Sequence, residues 1–579
     1  MKRKNLSVLI GYVCLALVLV ALLFTGACAE PARPTGTMTP TGTIGPTTAV
    51  CPTCPTGLTG TIPTTSPTDQ QGQQGTPRPT APGPTDQKPQ ETPEPTAPGP
   101  TAKILTCDEL KNLFQKPDVK ITAATKVPST SKVPEHCDIR GTISTDIGFA
   151  VELPTDWNGR FYMVGNGVFA GNIEYPAMEK GLSMGYATAS TDTGHNSGVD
   201  PLGPLGATFA YNNPEGEIDY CYRAIHLTAV TAKEIIEAYY GNPPSYSYFV
   251  GCSTGGRQGL MEAQRFPQDF DGIVVGAPVL NFTGTMIWGI WNAEALSGDG
   301  NIPAEKLKIL ADAVYEKCDG VDGLGDGLIN DPRNCTLDAA TGLPLDSFTP
   351  AQVEALEKIY GGVKNSKGEL LFPGPPVGAE VFAGGMSGWA MWMIGMFGPS
   401  LQLMLGDSFM KYMAFEVDPG PGYDWTTFNF DTDPPKMAYI SSIIDATDPD
   451  LSEFKTHGGK IIHYHGWADM ALNPFMSVNY YESVLNSMGV EETMDFYRLY
   501  MVPGMFHCAG GAGCDNVDWF TPLVSWVEDG IAPEELIGSH IEGGKVVRTR
   551  PLYPYPGVAE YTGSGSIDDA DTFTCSGCE

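Results

Sequence analysis

The chain is poor in positive charge, with 34 lysines and arginines against 67 aspartates and glutamates and a formal net charge of −33 over 579 residues. Phosphate binding needs clustered Lys and Arg, so nucleic acid is excluded as a partner. Arginine is missing altogether between Arg333 and Arg498. That stretch offers no bidentate clamp for a substrate carboxylate, because lysine is a poor geometric substitute. Cys51 and Cys54 form a C-x-x-C with no second pair at zinc-ribbon spacing, which leaves a local or intermolecular disulfide as the simpler reading. The apolar run Leu9 to Phe24 is short for a membrane-spanning helix.

What is present is a leader followed by a tether. Lys2, Arg3 and Lys4 precede the apolar run, and Ala27-Cys28-Ala29 follows it as an A-x-A cleavage site. Residues 1–29 read as a secretory signal, with lipidation at Cys28 or a retained anchor as the alternatives. Export places the 14 cysteines in an oxidising compartment, where they read as a disulfide set. Residues 30–102 are mostly Thr, Pro, Gly and Gln, with the near-copies PTAPGPTDQ and PTAPGPTAK. Such composition cannot bury a core and reads as an extended linker, suited to tethering at the cell surface.

Beyond residue 103 strands alternate with helices. Strand patterns cover Gly148 to Leu153, Arg160 to Val164, Gly185 to Ser190, Tyr246 to Val250 and Asp271 to Val275. Helical periodicity covers Ile218 to Tyr240 and Gly256 to Phe266. The alternation implies a parallel sheet covered on both faces, an α/β fold. From 281 to 454 the pattern turns irregular and rich in Gly, Pro, Met and Trp. It resumes with a strand at Gly459 to His465, a helix at Pro474 to Met488 and a strand at Met494 to Val502. The expected architecture is an α/β-hydrolase catalytic domain of residues 103–280 and 455–579, interrupted by a lid domain at 281–454.

Gly251-Cys252-Ser253-Thr254-Gly255 is a G-x-S-x-G nucleophile elbow between a strand and a helix. Serine is a weak nucleophile until a base takes its proton and a third group orients that base. The order Ser, acid, His along an α/β-hydrolase is met by Ser253, Asp469 and His507, the latter two following strands. Asp495 is a rival acid, but it begins a strand pattern and points elsewhere. If Cys252 and Cys508 are bonded, their Cα atoms lie about 5.5–6 Å apart and bring Ser253 beside His507. For the oxyanion, the Thr254 amide supplies one donor and the turn Gly165 to Gly171 another, with Gly167 the chosen candidate. His463 and His465 share one strand face and read as structural, and His195 as a brace.

Cys318 to Leu328 packs carboxylates between glycines. Ca²⁺ takes oxygen ligands on a tightly wound loop, and Asp319, Asp322 and Asp326 with the carbonyls of Leu324 and Leu328 offer them. The loop departs from EF-hand spacing, and Cys335 closes it if paired with Cys318. The expected cofactor is this structural Ca²⁺, with no organic cofactor.

The strings Gly251-Cys252-Ser253-Thr254-Gly255-Gly256-Arg257-Gln258-Gly259, Tyr464-His465-Gly466-Trp467-Ala468-Asp469 and Val502-Pro503-Gly504-Met505-Phe506-His507-Cys508 resemble the tannase and feruloyl esterase family, which includes mono(2-hydroxyethyl) terephthalate hydrolases. The acidic loop and the tail Arg550-Pro551-Leu552-Tyr553-Pro554-Tyr555-Pro556 match too. The resemblance implies a serine hydrolase with a calcium-containing lid, acting on esters of aromatic acids. It also implies the disulfides Cys252–Cys508, Cys318–Cys335 and Cys107–Cys137. The chain departs from the family at Asn166 and Val168, where glycine is common, and at Tyr553, where a cysteine is common. Cys575 then needs another partner, Cys578 or Cys514, or stays free, and Cys221 has no obvious one.

The function expected is a secreted serine esterase for phenolic-acid esters, feruloyl or galloyl, acting on small or polymer-linked substrates. An aromatic polyester or terephthalate-ester hydrolase is the alternative enzyme. A calcium-dependent surface binding protein is the non-catalytic one. Trp389, Met391, Trp392, Met393 and Phe397 form either an apolar face for the acyl group or the lid's own core.

Overall fold

The length of each connection decides how the strands pair. A computed structural model describes residues 105–144, 146–337, 344–380, 388–395 and 398–578. The expected leader, the linker with Cys51 and Cys54, and Phe397 lie outside the described residues. Strands β1 (Val119–Val127), β2 (His136–Ile143) and β3 (Ile147–Pro154) are joined by loops too short for a crossover, so they pair antiparallel. From β4 (Arg160–Val164) onward, helices intervene and the strands run parallel. These strands are β5 (Ala187–Thr191), β6 (Tyr246–Cys252), β7 (Gly272–Gly276), β8 (Lys460–Gly466) and β9 (Tyr497–Val502).

The result is one nine-stranded sheet in the order β1-β2-β3-β5-β4-β6-β7-β8-β9. It is mixed where the sequence pattern implied a parallel one. The cause is the hairpin pair at its amino-terminal edge, which the alternation of later elements did not reveal. Residue alternation divides the core between the faces. Phe161, Met163, Phe249, Ile273 and Val275 join one apolar cluster, and Tyr162, Val164, Tyr248, Val274 and Ile462 the other.

The crossover helices are α1 (Tyr175–Ser183), α2 (Ala224–Tyr240), α3 (Thr254–Arg265) and, further on, α8 (Phe475–Met488). The helical stretch expected at Ile218 to Tyr240 opens with a π-turn at Asp219–Arg223 and ends at Gly241 with φ 82°. Between β7 and β8 the described part of the chain carries helices between irregular stretches. It forms α4 (Phe282–Ala295), α5 (Ala304–Cys318), α6 (Pro350–Tyr360) and α7 (Leu401–Tyr412). Helix α4 is buried around most of its circumference, so it carries no amphipathic stripe for a sequence reading to find.

Among the described residues four disulfides are formed: Cys107–Cys137, Cys252–Cys508, Cys318–Cys335 and Cys575–Cys578. They fit maturation in an oxidising compartment. Cys221 and Cys514 are buried and unpaired among the described residues. Among those residues no helix is long and apolar enough to cross a membrane.

Candidate active site

The register of the parallel strands levels their carboxyl ends. Cys252 pairs with Gly276, Gly276 with Tyr464, and Gly466 with Val502. The loops leaving β6, β8 and β9 therefore open on one edge of the sheet, and these loops carry Ser253, Asp469 and His507.

Ser253 turns the chain from β6 into α3 at φ 64°, ψ −123°, a left-handed conformation costly for a side-chain-bearing residue. Close glycine packing enforces it. A Cβ at Gly251 would lie 2.4 Å from the Gly255 carbonyl carbon, so neither strand end nor helix start could approach with a larger residue. Backbone bonds hold the turn: Ser253 N–H donates to Gly276 O at 2.9 Å, and Arg257 N–H donates to Ser253 O at 3.1 Å.

The neighbouring Cys252 is bonded to Cys508 with Cα atoms 6.0 Å apart, a link spanning 256 residues of sequence. It draws the His507 loop to the elbow. His507 Nδ1 lies 2.7 Å from Asp469 Oδ2. Asp469 is fully buried, and its other oxygen accepts the amides of Ala471 and Leu472 at 2.8 and 3.0 Å. Burial pushes this carboxyl up, but the adjacent His507 imidazole and the hydrogen bonds from His465 and His507 outweigh it and hold it well below the usual carboxylate range. The bond from the Ser253 hydroxyl to the imidazole is not made, since that hydroxyl has no hydrogen-bond partner among the described residues. Such a contact commonly tightens only with substrate bound.

Ser253, Thr254 and His507 line one narrow pocket with Val168, Phe169, Phe282, Met286, Trp392, Leu405 and Leu472. Its polar members are largely committed elsewhere. Gln402 donates to Met470 O and accepts from Asn292, and Thr285 donates to Asn281 O. Among the described residues no charged side chain lines it. Trp392 sets its ring edge-on to His507, 5.7 Å between centroids. Trp389 and Met393 are buried within the inserted segment, and Trp389 lies against Tyr360, so the aromatic cluster divides between core and pocket.

The Gly165 to Gly171 loop is fixed from behind. Asn166, one of the departures from glycine, is buried and donates to the carbonyls of Asn172 and Thr191, while its own amide donates to Gln258 Oε1 at 2.9 Å. The Val168 carbonyl accepts from Thr254 Oγ1 at 2.7 Å and Tyr220 OH at 2.8 Å. Arg257, fully buried, donates to Cys221 O at 2.7 Å and stacks over Tyr220. The Arg-Gln of the elbow motif thus braces this loop, a role the motif alone did not disclose. The amides of Phe169 and Ala170 are taken by Pro204 O and Gly167 O, while those of Gly167, Val168 and Thr254 have no acceptor among the described residues. Thr254 also heads helix α3, whose dipole favours negative charge there.

Other sequence candidates fall elsewhere. Asp495 caps a short helix at the amino end of β9, exposed and at the opposite sheet edge, not at a strand start as its pattern suggested. His195 stacks on Phe209 at 3.7 Å and packs behind the glycine loop. His463 and His465 are both fully buried on β8, and His465 Nε2 reaches Asp469 Oδ2 at 3.1 Å.

Among the described residues two groups of side chains have metal-ligand chemistry. Asp322, Leu324, Asp326 and Leu328 line one cavity. Asp319 Oδ1 accepts the amides of Asp326 and Gly327, curling the loop upon itself. Arg550 donates to Asp326 Oδ2 at 2.6 Å. Burial, then the charges of Asp326 and Asp319, push the Asp322 carboxyl up. His226, Glu262 and Asp269 have donor atoms within 4.8 Å of one another, towards the other end of α3. There His226 bonds Asp269 at 2.6 Å, the Lys233 ammonium meets the Asp269 carbonyl, and burial drives the Glu262 carboxyl well up, so protons and Lys233 account for the cluster.

A serine held at a strained strand-to-helix turn, with a histidine–aspartate pair on the following strand ends of a largely parallel sheet, defines an α/β-hydrolase. Comparison narrows this. The model of the family "Tannase and feruloyl esterase" matches residues 131–576. The chain is 34% identical to an uncharacterised esterase of Xanthomonas campestris, over 79% of this chain and 89% of that protein. It is 33% identical to the mono(2-hydroxyethyl) terephthalate hydrolase of Piscinibacter sakaiensis, over 78% and 87%. The crystal structure of feruloyl esterase B from Aspergillus oryzae superposes with a TM-score of 0.71 at 29% identity, covering 81% of this chain and 99% of that one. The chain belongs to the tannase and feruloyl esterase family and is a carboxylic ester hydrolase.

Proposed function

We propose that this esterase cleaves esters of aromatic acids that are uncharged at the far end of the ring, of the feruloyl type, through an acyl-enzyme on Ser253. His507 takes the serine proton as the hydroxyl attacks the ester carbonyl, and Asp469 holds the imidazole and stabilises its charged form. The Thr254 amide and a second from the glycine loop, Gly167, receive the oxyanion. His507 returns the proton to the leaving alcohol, and water repeats the sequence to release the acid. The carrying observation is the pocket: Phe282, Met286, Trp392, Leu405 and Leu472 offer apolar and aromatic contact around Ser253, with no cation for a carboxylate among the described residues. A galloyl ring, with its three hydroxyls, would also find few free partners there, which favours ferulate over gallate. Turnover of methyl ferulate, methyl gallate and a terephthalate half-ester should fall in that order, and a preference for the half-ester would overturn the reading.

The same proposal assigns a structural Ca²⁺ to Asp319, Asp322 and Asp326 with the carbonyls of Leu324 and Leu328. The all-oxygen donor set fits a hard cation; burial, and after it the Asp326 and Asp319 charges, raise the Asp322 carboxyl, and a cation would offset those charges. The Cys318–Cys335 bond closes the loop on its helix. Chelation should lower Tm by several degrees, with recovery on adding Ca²⁺ but not Mg²⁺; an unchanged Tm would count against the site. Export and tethering through residues 1–102 complete the proposal.

A further inference from the structure

Behind Asp469 runs a buried chain of hydrogen bonds that the esterase mechanism leaves unused. Tyr497 OH lies 2.7 Å from His463 Nδ1, and His463 Nε2 lies 2.8 Å from Ser477 Oγ. Ser477 Oγ lies 2.7 Å from His465 Nδ1, and His465 Nε2 reaches Asp469 Oδ2 at 3.1 Å. His463, His465, Ser477 and Asp469 are all fully buried.

The direction of this chain follows from its last link. His465 Nε2 faces both the Asp469 carboxylate and the Leu472 carbonyl, the latter at 3.2 Å. Neither group can donate, so Nε2 carries a proton. With one proton on the ring, Nδ1 accepts, and the Ser477 hydroxyl must point at it. Ser477 Oγ is then free to accept from His463 Nε2–H, and His463 Nδ1 accepts the Tyr497 hydroxyl. Every donor therefore points toward the acid, and each ring nitrogen of the two imidazoles has its partner. Hydrogen bonds aligned this way polarise one another in a dry interior.

We infer that Tyr497, His463, Ser477 and His465 form a one-way relay of positioning residues that tunes the basicity of Asp469 and, through it, of His507. The inference rests on the catalytic reading of Asp469 and His507. Two imidazoles share Oδ2: His507 from the pocket side and His465 from the core side. A donor from the core side draws charge from the oxygen that His507 uses. It keeps the imidazolium from being held too tightly, so that His507 releases its proton readily to the leaving alcohol. The titratable groups facing this pair are His465 and His463 from β8 and Tyr497 from β9.

The test is the pH dependence of kcat/KM on p-nitrophenyl acetate. Removing the core-side donor leaves more charge on Asp469 for His507, so the acidic limb should move to higher pH. For His465→Leu we expect about half a pH unit or more, with kcat about 10- to 100-fold lower and KM within twofold. Ser477→Ala should give a smaller shift in the same direction and Tyr497→Phe the smallest, the latter removing a single oxygen. His465→Gln, which keeps a donor for Asp469 and an acceptor for Ser477, should restore much of the wild-type profile. A limb unmoved in Ser477→Ala and Tyr497→Phe, both folded by near-UV circular dichroism, would overturn the relay whatever happens to Tm. Ser253→Ala is the control: full activity in that variant would dispose of the catalytic reading itself, whereas loss there with unmoved limbs elsewhere would dispose of the relay alone.

Discussion

The carboxyl edge of the sheet and the inserted segment between β7 and β8 are built on different principles. At the sheet edge the proposed chemistry is over-determined. Strand register, a strained elbow locked by glycines, a disulfide and a buried carboxylate with four donors all fix the same few side chains. The insert supplies shape. Its helices α4 and α7 pack against each other, and it meets the proposed chemistry chiefly through Trp392, Met286 and Leu405. On the proposed reading, the reaction and the choice of substrate are carried by separate parts, with rigid positioning in one and apolar lining in the other. Perturbing each part should leave different kinetic signatures.

The largest effect belongs to the sheet edge. Asp469→Asn keeps the volume but removes the charge and favours the wrong imidazole tautomer, so kcat should fall about 10⁴-fold with KM little changed. Stopped assays on methyl ferulate measure it, and a loss under tenfold would show that Asp469 is not the orienting acid. Next comes the Cys252–Cys508 bond. Cys252→Ala with Cys508→Ala should cost about 3–5 kcal/mol by urea unfolding, because the link closes a long loop, and should lower kcat about 10- to 100-fold as the His507 loop loosens. Full activity in the double variant would mean that the loop is held without its crosslink.

The insert should behave otherwise. Trp392→Ala should lower kcat/KM about tenfold on methyl ferulate and leave p-nitrophenyl acetate nearly unaffected. Equal losses on both esters would erase the division between the two parts. The smallest effect lies where they meet. Burial, with the Asp418 charge on the insert, raises the Glu217 carboxyl to about 7. A carboxyl raised in the folded state binds its proton there more tightly than in the unfolded chain. Its protonated form favours folding, and stability falls as pH climbs from the ordinary carboxylate range to about 7. Glu217→Gln should flatten that decline, by an amount on the order of 1–2 kcal/mol in denaturation series. A decline of unchanged size would place the titrating group elsewhere.

The same division governs what the sequence discloses. At the elbow, backbone strain and close approach leave few residues admissible, so Gly251, Ser253 and Gly255 stand out as a motif. Asp469 and His507 follow from chain order and from strands whose patterns are strong. The strand pair β1 and β2 escaped notice, as did the hairpin geometry that makes the sheet mixed. Helix α4 was invisible as a helix because burial on nearly all sides erases its periodicity. The pocket lining drawn from it, Phe282 and Met286, was hidden for the same reason. His463 and His465 showed their shared face through period two, but that one of them touches Asp469 depends on how the loop after β8 folds back. Asn166 looked like a lost glycine and proves to be a strut, a distinction that only its bonds to Asn172 and Thr191 make.

The central claim is that Ser253 is an activated nucleophile. Treatment with a fluorophosphonate followed by peptide mass mapping tests it directly. We predict a single stoichiometric adduct on Ser253, formed with loss of esterase activity and absent after Asp469→Asn at short times. Full inactivation with the adduct on another residue, or turnover of an aryl ester with Ser253 left unlabelled, would contradict the account.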